Sequence, residues 1–283
     1  MSFLKNNEIL KSVYVHIDSR DRNYNNYSNS NSYTIKLNNY KIKNVKSIEL
    51  ISAKIPKSEY LINANNNKIN FQENSVDYTI TLDEGNYTSI TLATQFENQL
   101  NALATDNEYT VNVDTISGIL SVLRIGGSNS FSLLFSSGSY ADSLDSNGQL
   151  VIGSSPRKIL GFEIQDYTST DGSINSPNKI SLNTNDEVFI EIDNNMGHID
   201  TIISENNYLK GKIFACIDMD VSYDDIKFFK NSEKKIIKEY FPLMNNLYYL
   251  HIQFKNYYNN LYNFRGQENS LLLKVSYIEK GFN

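Results

Sequence analysis

The chain has 283 residues, 40% of them hydrophobic, with 20 Tyr, 14 Phe and no Trp, and its 26 Lys and Arg against 32 Asp and Glu give a formal charge of -6. That hydrophobic share supports a packed core and argues against disorder, and the acidic balance removes any general attraction to phosphate backbones, so nucleic acid is not an expected partner. A single cysteine, Cys216, excludes a disulfide framework.

No apolar run approaches the ~18 residues of a bilayer span, so no transmembrane segment is expected. The opening MSFLKNNEILKSVYVHIDS has neither a continuous apolar stretch nor a small-residue cleavage site. The protein is therefore expected to be soluble and unsecreted, with the Asn-x-Ser/Thr matches at Asn26 and Asn86 arising by chance. Strings of Val, Ile, Thr and Tyr among many Asn favour strands and turns, hence a mainly β protein.

In chain order, Val13, Val15 and Ile17 alternate with Tyr14 and His16 in a first strand, which ends at the charged turn DSRDRN. Residues 23–32, NYNNYSNSNS, read as a surface loop. Strands at Ser32 to Leu37 and Val45 to Ile55 follow. In the second, alternation places Val45, Ser47, Glu49, Ile51 and Ala53 on one face, and Pro56, which has no donor for a ladder, ends it. Asn63 to Asn67 then turn into a short strand, Ile69 to Phe71.

The sharpest change of period lies in residues 78–104. Tyr78, Ile80 and Leu82 alternate, Asp83 to Asn86 turn, and Thr88 or Ser89 caps a helix whose Leu92, Phe96, Leu100 and Leu103 form one apolar stripe. Gln95, Glu97, Gln99 and Asn101 are expected to face water. Strands at Tyr109 to Val113 and Ile119 to Ile125, continued by Phe131, Leu133 and Phe135, supply the surface that buries the stripe. Residues 136–155 are a Ser/Gly loop. In SPRKILGF, Ser155 caps, Pro156 starts and Gly161 stops one helical turn that folds Ile159, Leu160 and Phe162 onto the same core. Residues 166–179 lead the chain back out. Residues 75–165 thus read as a small α+β module inserted into a β domain made of 1–74 and 166–283.

Further strands are expected at Ile180 to Leu182, Glu187 to Ile192, Gly211 to Val221, Leu247 to Phe254 and Ser270 to Ile278, with turns at DNNMG, Tyr223 to Asn245 and NFRGQ. About eight strands outside the module suit two four-stranded sheets packed face to face. The one basic cluster, KNSEKKIIKEYF at 230–241, has Ile236, Ile237, Tyr240 and Phe241 at helical spacing and reads as a short amphipathic helix.

Candidate chemistry is sparse. His16, His198 and His251 stand far apart, no HxxH, HExxH, CxxC or GxSxG spacing occurs, and His16 and His251 read as hydrogen-bonded structural residues. Asp218 and Asp220 share the outer face of a strand whose inner face is Ile213, Ala215, Ile217, Met219 and Val221. Such a pair can chelate a hard cation, but without an EF-hand loop a solvated edge is the better account. Cys216 reads as a buried, inert thiol. Asp18, Arg20, Asp21 and Arg22 form a charged turn with no partner nucleophile or base. Gly126-Gly127-Ser128 lies between strands, so it is no phosphate cradle. No catalytic residue, cofactor or metal site is assigned, and no enzyme activity is expected.

Three blocks in order carry a family likeness: VYVHIDSRDRN with SYTIKL and KSIELISAKIP; YTITLDEGNYTSITLATQFENQLN with YTVNVDTISGILSV and SPRKILGF; and FPLMNNLYYLHIQF with LYNFRGQENSLLLKV. Together they resemble the penton and minor capsid class of jelly-roll proteins from eukaryotic large double-stranded DNA viruses and virophages. The resemblance implies a single eight-stranded jelly-roll β-sandwich with an inserted small α+β domain, found in the virion and assembled in the host cytoplasm. It implies a homopentamer at the five-fold vertex, next to the major capsid protein, with the insert facing a host receptor or a vertex fibre. A minor capsid protein of the same shell is the alternative.

Five-fold rings use heterologous contacts, and Tyr-rich loops suit them. The expected subunit interface is Arg20, Arg22, Tyr24, Tyr27, Tyr257, Tyr258, Tyr262 and Arg265. Two rivals are a glycan-binding β-sandwich used for host attachment, and a glycosidase working through Asp218 and Asp220.

Overall fold

The computed structural model describes residues 8–37, 40, 42–103, 105–169, 171–183, 187–194, 199–203 and 212–280. His198, most of the DNNMG turn and the start of the strand expected at Gly211 lie outside the described residues. The chain divides into two compact units, Met1–Glu59 with Asn185–Asn283, and Tyr60–Thr184.

The first unit begins with β1 (Glu8–Asp18), β2 (Ser32–Lys36) and β3 (Ile42–Pro56). The second contains β4 (Lys68–Glu73), β5 (Val76–Thr81), α1 (Ser89–Asn101), β6 (Glu108–Val113), β7 (Ile119–Gly126), β8 (Phe131–Leu134), β9 (Ser143–Leu144), β10 (Leu150–Val151), β11 (Asp166–Thr168) and β12 (Ser173–Lys179). The chain returns to the first unit with β13 (Glu187–Asp193), β14 (Ile202–Ile203), β15 (Lys212–Ile213), β16 (Ala215–Asp218), β17 (Ile226–Lys230), β18 (Ile236–Leu247), β19 (Tyr249–Lys255) and β20 (Ser270–Lys280). The protein is mainly β. No described helix is long and apolar enough to cross a membrane.

In the first unit one antiparallel sheet runs β1–β20–β3–β17, with β18 also on β3, and another runs β16–β13–β19–β2. Their inner faces share one core: Ile17, Leu50, Phe229 and Val275 from one sheet meet Tyr33, Ile190, Ile217 and Ile252 from the other. The long strand β3 departs from strict alternation. Its ladder with β20 shifts register between Leu272 and Leu273 and again between Ser276 and Tyr277. Each shift advances β3 by one extra residue, and one extra residue turns everything beyond it to the other side of the sheet. The apolar residues buried there are therefore Val45, Ile48, Leu50, Ala53 and Ile55, which strict alternation would divide between the two faces.

The stretch expected as a turn with a short helix is two strands. β17 pairs Ile226 with Pro56 through Lys230 with Ser52, and β18 pairs Ile236 with Leu50 through Leu247 with Ile42. Between Glu239 and Met244 the register breaks, and the four residues from Tyr240 to Leu243 bulge away from β3. The bulge turns Phe241 outward, whereas Ile236 and Met244 on either side are buried, so the helical spacing is a by-product of a broken strand.

The second unit has sheets β11–β8–β4–β5 and β12–β7–β6. Leu92, Phe96 and Leu100 of α1 share a core with Phe71, Tyr109, Phe131, Phe135, Leu160 and Phe162. Its bounds, 60–184, are wider than the expected 75–165. Glu73 pairs with Val76 across Asn74 and Ser75, both at positive φ, so the expected boundary falls inside a two-residue hairpin. At the other end β11 pairs with β8 and β12 with β7, so residues 166–179 are strands and not an exit. Ile180 and Leu182 pack on this core without forming the expected strand.

Thr88 caps α1, with reciprocal bonds between its side chain and backbone and those of Thr91. Two residues expected to face water also hold β6: Glu97, which is half-buried, and Asn101, which stays exposed. The Glu97 carboxylate accepts from the Val111 N–H and the Thr110 hydroxyl, both at 2.8 Å. Asn101 donates to the Tyr109 carbonyl at 2.8 Å and accepts from the Tyr109 N–H at 3.0 Å. Because β6 is the margin of its sheet, the helix closes that edge. The Ser/Gly loop is anchored too: buried Arg157 donates to buried Asp142 from Nε at 2.9 Å and from a terminal nitrogen at 2.6 Å, and the same carboxylate accepts from Gly153 N–H at 2.9 Å.

Candidate functional site

The polar and aromatic side chains singled out in the sequence gather at one end of the first unit, where β1 and β19 finish and β2 and β20 begin. Two loops meet there, 19–31 and 256–269. The Ser19 N–H donates to the Asn269 carbonyl at 3.0 Å, and the Ser30 hydroxyl to the Gln267 carbonyl at 2.6 Å. Asn31 donates to the Tyr262 carbonyl at 2.9 Å.

Asp18 opens this end. Its carboxylate accepts from the Arg20 backbone N–H at 2.9 Å and from two guanidinium nitrogens at 2.8 and 2.6 Å, and that hydrogen bonding holds its pKa down at about 2. Arg20 itself is exposed. Arg22 is different, because it is buried and spends its donors on the carbonyls of Ser19, Tyr27 and Ser28 and on Glu268, the last at 2.6 Å. The Ser19 hydroxyl also donates to Glu268. Tyr24 lies exposed over the guanidinium, whose carbon is 4.1 Å from the ring centre.

Tyr27 is half-buried, its hydroxyl 2.8 Å from that of Thr34, which in turn meets Nδ1 of His251 at 3.0 Å. His251 is thus hydrogen-bonded in its strand as expected, and burial lowers its pKa. His16, also expected to be a structural residue, is exposed on β1. Tyr257 is exposed and packs edge-on against half-buried Tyr258 at 5.4 Å. Arg265 is exposed in a turn of positive φ with Gly266. Tyr262, only 1% exposed, packs 5.0 Å from Phe264, and burial raises the pKa of its hydroxyl.

The end therefore presents Arg20, Tyr24, Tyr257 and Arg265, with Tyr27 and Tyr258 partly covered. Arg22 and Tyr262 belong to the interior and offer no side-chain surface to a neighbour. Sequence reasoning missed Glu268, the carboxylate that joins Ser19 and Arg22, because the pair is separated by 246 residues and leaves no local signal. It also missed the outward side chains at the sheet margins, Leu10 and Tyr14 on β1 and Phe228 and Phe241 on β17 and β18.

The expected acidic pair is split. Asp218 faces outward opposite Glu187, while Asp220 meets Lys227 at 2.8 Å. Ligand atoms of Glu187, Cys216 and Asp218 lie within 4.8 Å of one another. Cys216 is half-buried rather than buried, and burial with the two carboxylates pushes its thiol up to about 12.

A family model described as a family of unknown function (DUF5901) matches residues 1–196. No curated protein matches the sequence. Among solved structures the chain is similar to the penton protein of mavirus, crystallised in SeMet-labeled form, with 9% identity and a TM-score of 0.46 over 94% of this chain and 99% of that one. At that identity and score the likeness says nothing of what this chain binds.

Proposed function

The chain belongs to the DUF5901 family of unknown function, and we propose that it is a structural capsid protein of a virion, a jelly-roll protomer that assembles with copies of itself in an icosahedral shell. The observation that carries this reading is the strand order. β17 and β18 lie along the same side of β3 and count as two halves of one strand, which leaves eight main strands in the first unit. Numbered along the chain, one sheet then holds the first, eighth, third and sixth, and the other the second, seventh, fourth and fifth. Every connection but one changes sheet. That winding supports a double-sheet jelly roll, an architecture used by capsid and lectin domains alike.

In this reading the unit 60–184 is an insert between the third and fourth strands, available to a receptor or a vertex fibre. The ring is a homopentamer at the five-fold vertex beside the major capsid protein, and the protein works by assembly without turnover. Light scattering of the purified chain tests it: five copies of 32.4 kDa give about 162 kDa. Three copies point to a minor capsid protein of the same shell. A stable monomer at high concentration that binds a glycan array overturns assembly in favour of the lectin-like reading.

A further inference from the structure

In this Asn-rich chain an asparagine is followed by glycine once, at Asn147–Gly148. The pair lies in the turn that joins β9 to β10, a hairpin held by two residue pairs, Leu144 with Leu150 and Ser143 with Val151. Residues 143–149 are all exposed. The turn closes on Asp145. Its N–H donates to the Gln149 carbonyl at 2.8 Å, its carbonyl accepts from the Gly148 N–H at 3.0 Å, and its carboxylate accepts from the N–H groups of Asn147 and Gln149, both at 2.8 Å.

The side-chain amide of Asn147 takes no part in this turn and has no hydrogen-bond partner among the described residues. Gly148 sits at a φ of +75°, and a Cβ built there would meet nothing within 4 Å. Asparagine is a thermolabile residue because the nitrogen of the next peptide group can attack its side-chain carbonyl carbon. Any side chain on that next residue crowds the approach, and glycine alone leaves both the space and the backbone freedom for it. Asparagines followed by serine are held instead. Asn129 donates its amide to Asp106 at 3.2 Å, and buried Asn269 donates to the Ser30 carbonyl at 2.8 Å and accepts from the Tyr33 hydroxyl at 2.9 Å.

We propose that Asn147 is a site of spontaneous modification, deamidating through a cyclic imide to aspartate and isoaspartate. The Gly148 nitrogen gives up its proton and bonds to Cγ of Asn147, the bond from Cγ to the side-chain nitrogen breaks, and ammonia leaves with that proton. Water then adds to one of the two imide carbonyls. Opening at Cγ restores the main chain with an aspartate; opening at the backbone carbonyl routes the chain through Cβ and Cγ and leaves an isoaspartate. No oxidant or enzyme is required. The one bond that must open first is that of the Gly148 N–H to the Asp145 carbonyl, at a solvent-facing loop tip where local opening is easy.

Each event adds a carboxylate beside Asp145, and isoaspartate also lengthens the main chain by one carbon. A hairpin of two pairs cannot absorb that and keep its register. The change stops at the hairpin's base, where Arg157 holds Asp142 in the core of the second unit. The site is independent of how the chain assembles.

The test is to incubate the full chain in warm, mildly alkaline buffer, label isoaspartate with an isoaspartyl methyltransferase, and map the label by peptide mass spectrometry. The label is expected in the peptide that contains Asn147, with a new acidic band on isoelectric focusing, and faster at higher pH because the attacking nitrogen must lose its proton. N147Q is expected to lose that label and keep an unchanged circular-dichroism melt, since the side chain faces solvent. D145A releases the N–H groups of Asn147 and Gln149 and is expected to speed the labelling several-fold. A folded chain whose Asn147 peptide stays unlabelled while a urea-unfolded sample is labelled there overturns the site, as does N147Q labelled like the wild type.

Discussion

One sheet edge in each unit is finished in an opposite way. In the second, the strand that would lie open, β6, is lined by α1, and Glu97 and Asn101 take up the backbone groups of Tyr109 and Val111. In the first, β1 gives all eleven residues to β20 and has no strand on its other side among the described residues. An edge left open is an aggregation hazard unless it is used, and this one carries Leu10 and Tyr14 outward beside a single exposed lysine, Lys11. The same sequence therefore covers one sheet edge in the second unit with a helix and leaves one edge of the first without a strand neighbour. The cores differ as well: the second unit is built from near neighbours such as β4–β5 and β6–β7, whereas the first depends on pairing its beginning to its end.

The hardest way to break this division is to attack one core and watch the other. Arg157→Ala leaves Asp142 as an unpaired buried charge and is expected to cost the second unit about 3–5 kcal/mol. In urea, followed by hydrogen exchange so that each core is read separately, amides of β4 to β8 lose protection and those of β3, β19 and β20 keep theirs. Equal loss in both would mean that the units unfold as one. In the first unit, Tyr262→Ala is expected to cost about 3–5 kcal/mol through the cavity it leaves. Its signature is a lower melting temperature with the assembly mass unchanged below that temperature, the reverse of what an interface tyrosine would give.

Removing the clamp on β6 comes next. Glu97→Ala strips a charged acceptor from the Val111 N–H and the Thr110 hydroxyl, for about 1.5–3 kcal/mol. It also opens an edge, so concentration-dependent association above the wild-type level should appear. If association stays at the wild-type level, the helix buries its stripe but does not protect the strand.

These contrasts explain what could be read from residues alone. The helix, its Thr88 cap and its Leu92–Phe96–Leu100 stripe were legible because a helix writes its contacts at short spacing. The bulges of β3 were not, because a single extra residue leaves the composition of the strand unchanged while reversing its faces. Ile236, Ile237, Tyr240 and Phe241 imitated a helix because the outward bulge in β18 happens to restore a four-residue step. Among the candidate contact residues, Tyr24 and Tyr257 were placed at the surface, but Arg22 and Tyr262 were not. Their burial is decided by Glu268 and by Phe254 and Phe264, partners that belong to other strands and loops. What sequence pattern recorded was local order, and the first unit is mostly non-local.

The smallest effect concerns acid. Asp18 ends the open strand, and Arg20 holds its folded pKa at about 2 against an ordinary value of 3.8. A carboxylate with a depressed pKa adds stability that is fully present above the unfolded value and is lost as pH falls through the folded one, so the window is between about pH 4 and pH 2. Arg20 is solvent-facing, which screens the pair and keeps the contribution small, and salt reduces it further. D18N should flatten the pH dependence of the first unit across that window while leaving the second unit's curve in place. The second unit has its own depressed carboxylates at Asp114 and Asp166, so both units soften in acid. Only the part that vanishes in D18N belongs to the end of β1. A D18N profile that superimposes on the wild type would mean that the Asp18–Arg20 bonds, short as they are, shape the turn without stabilising it.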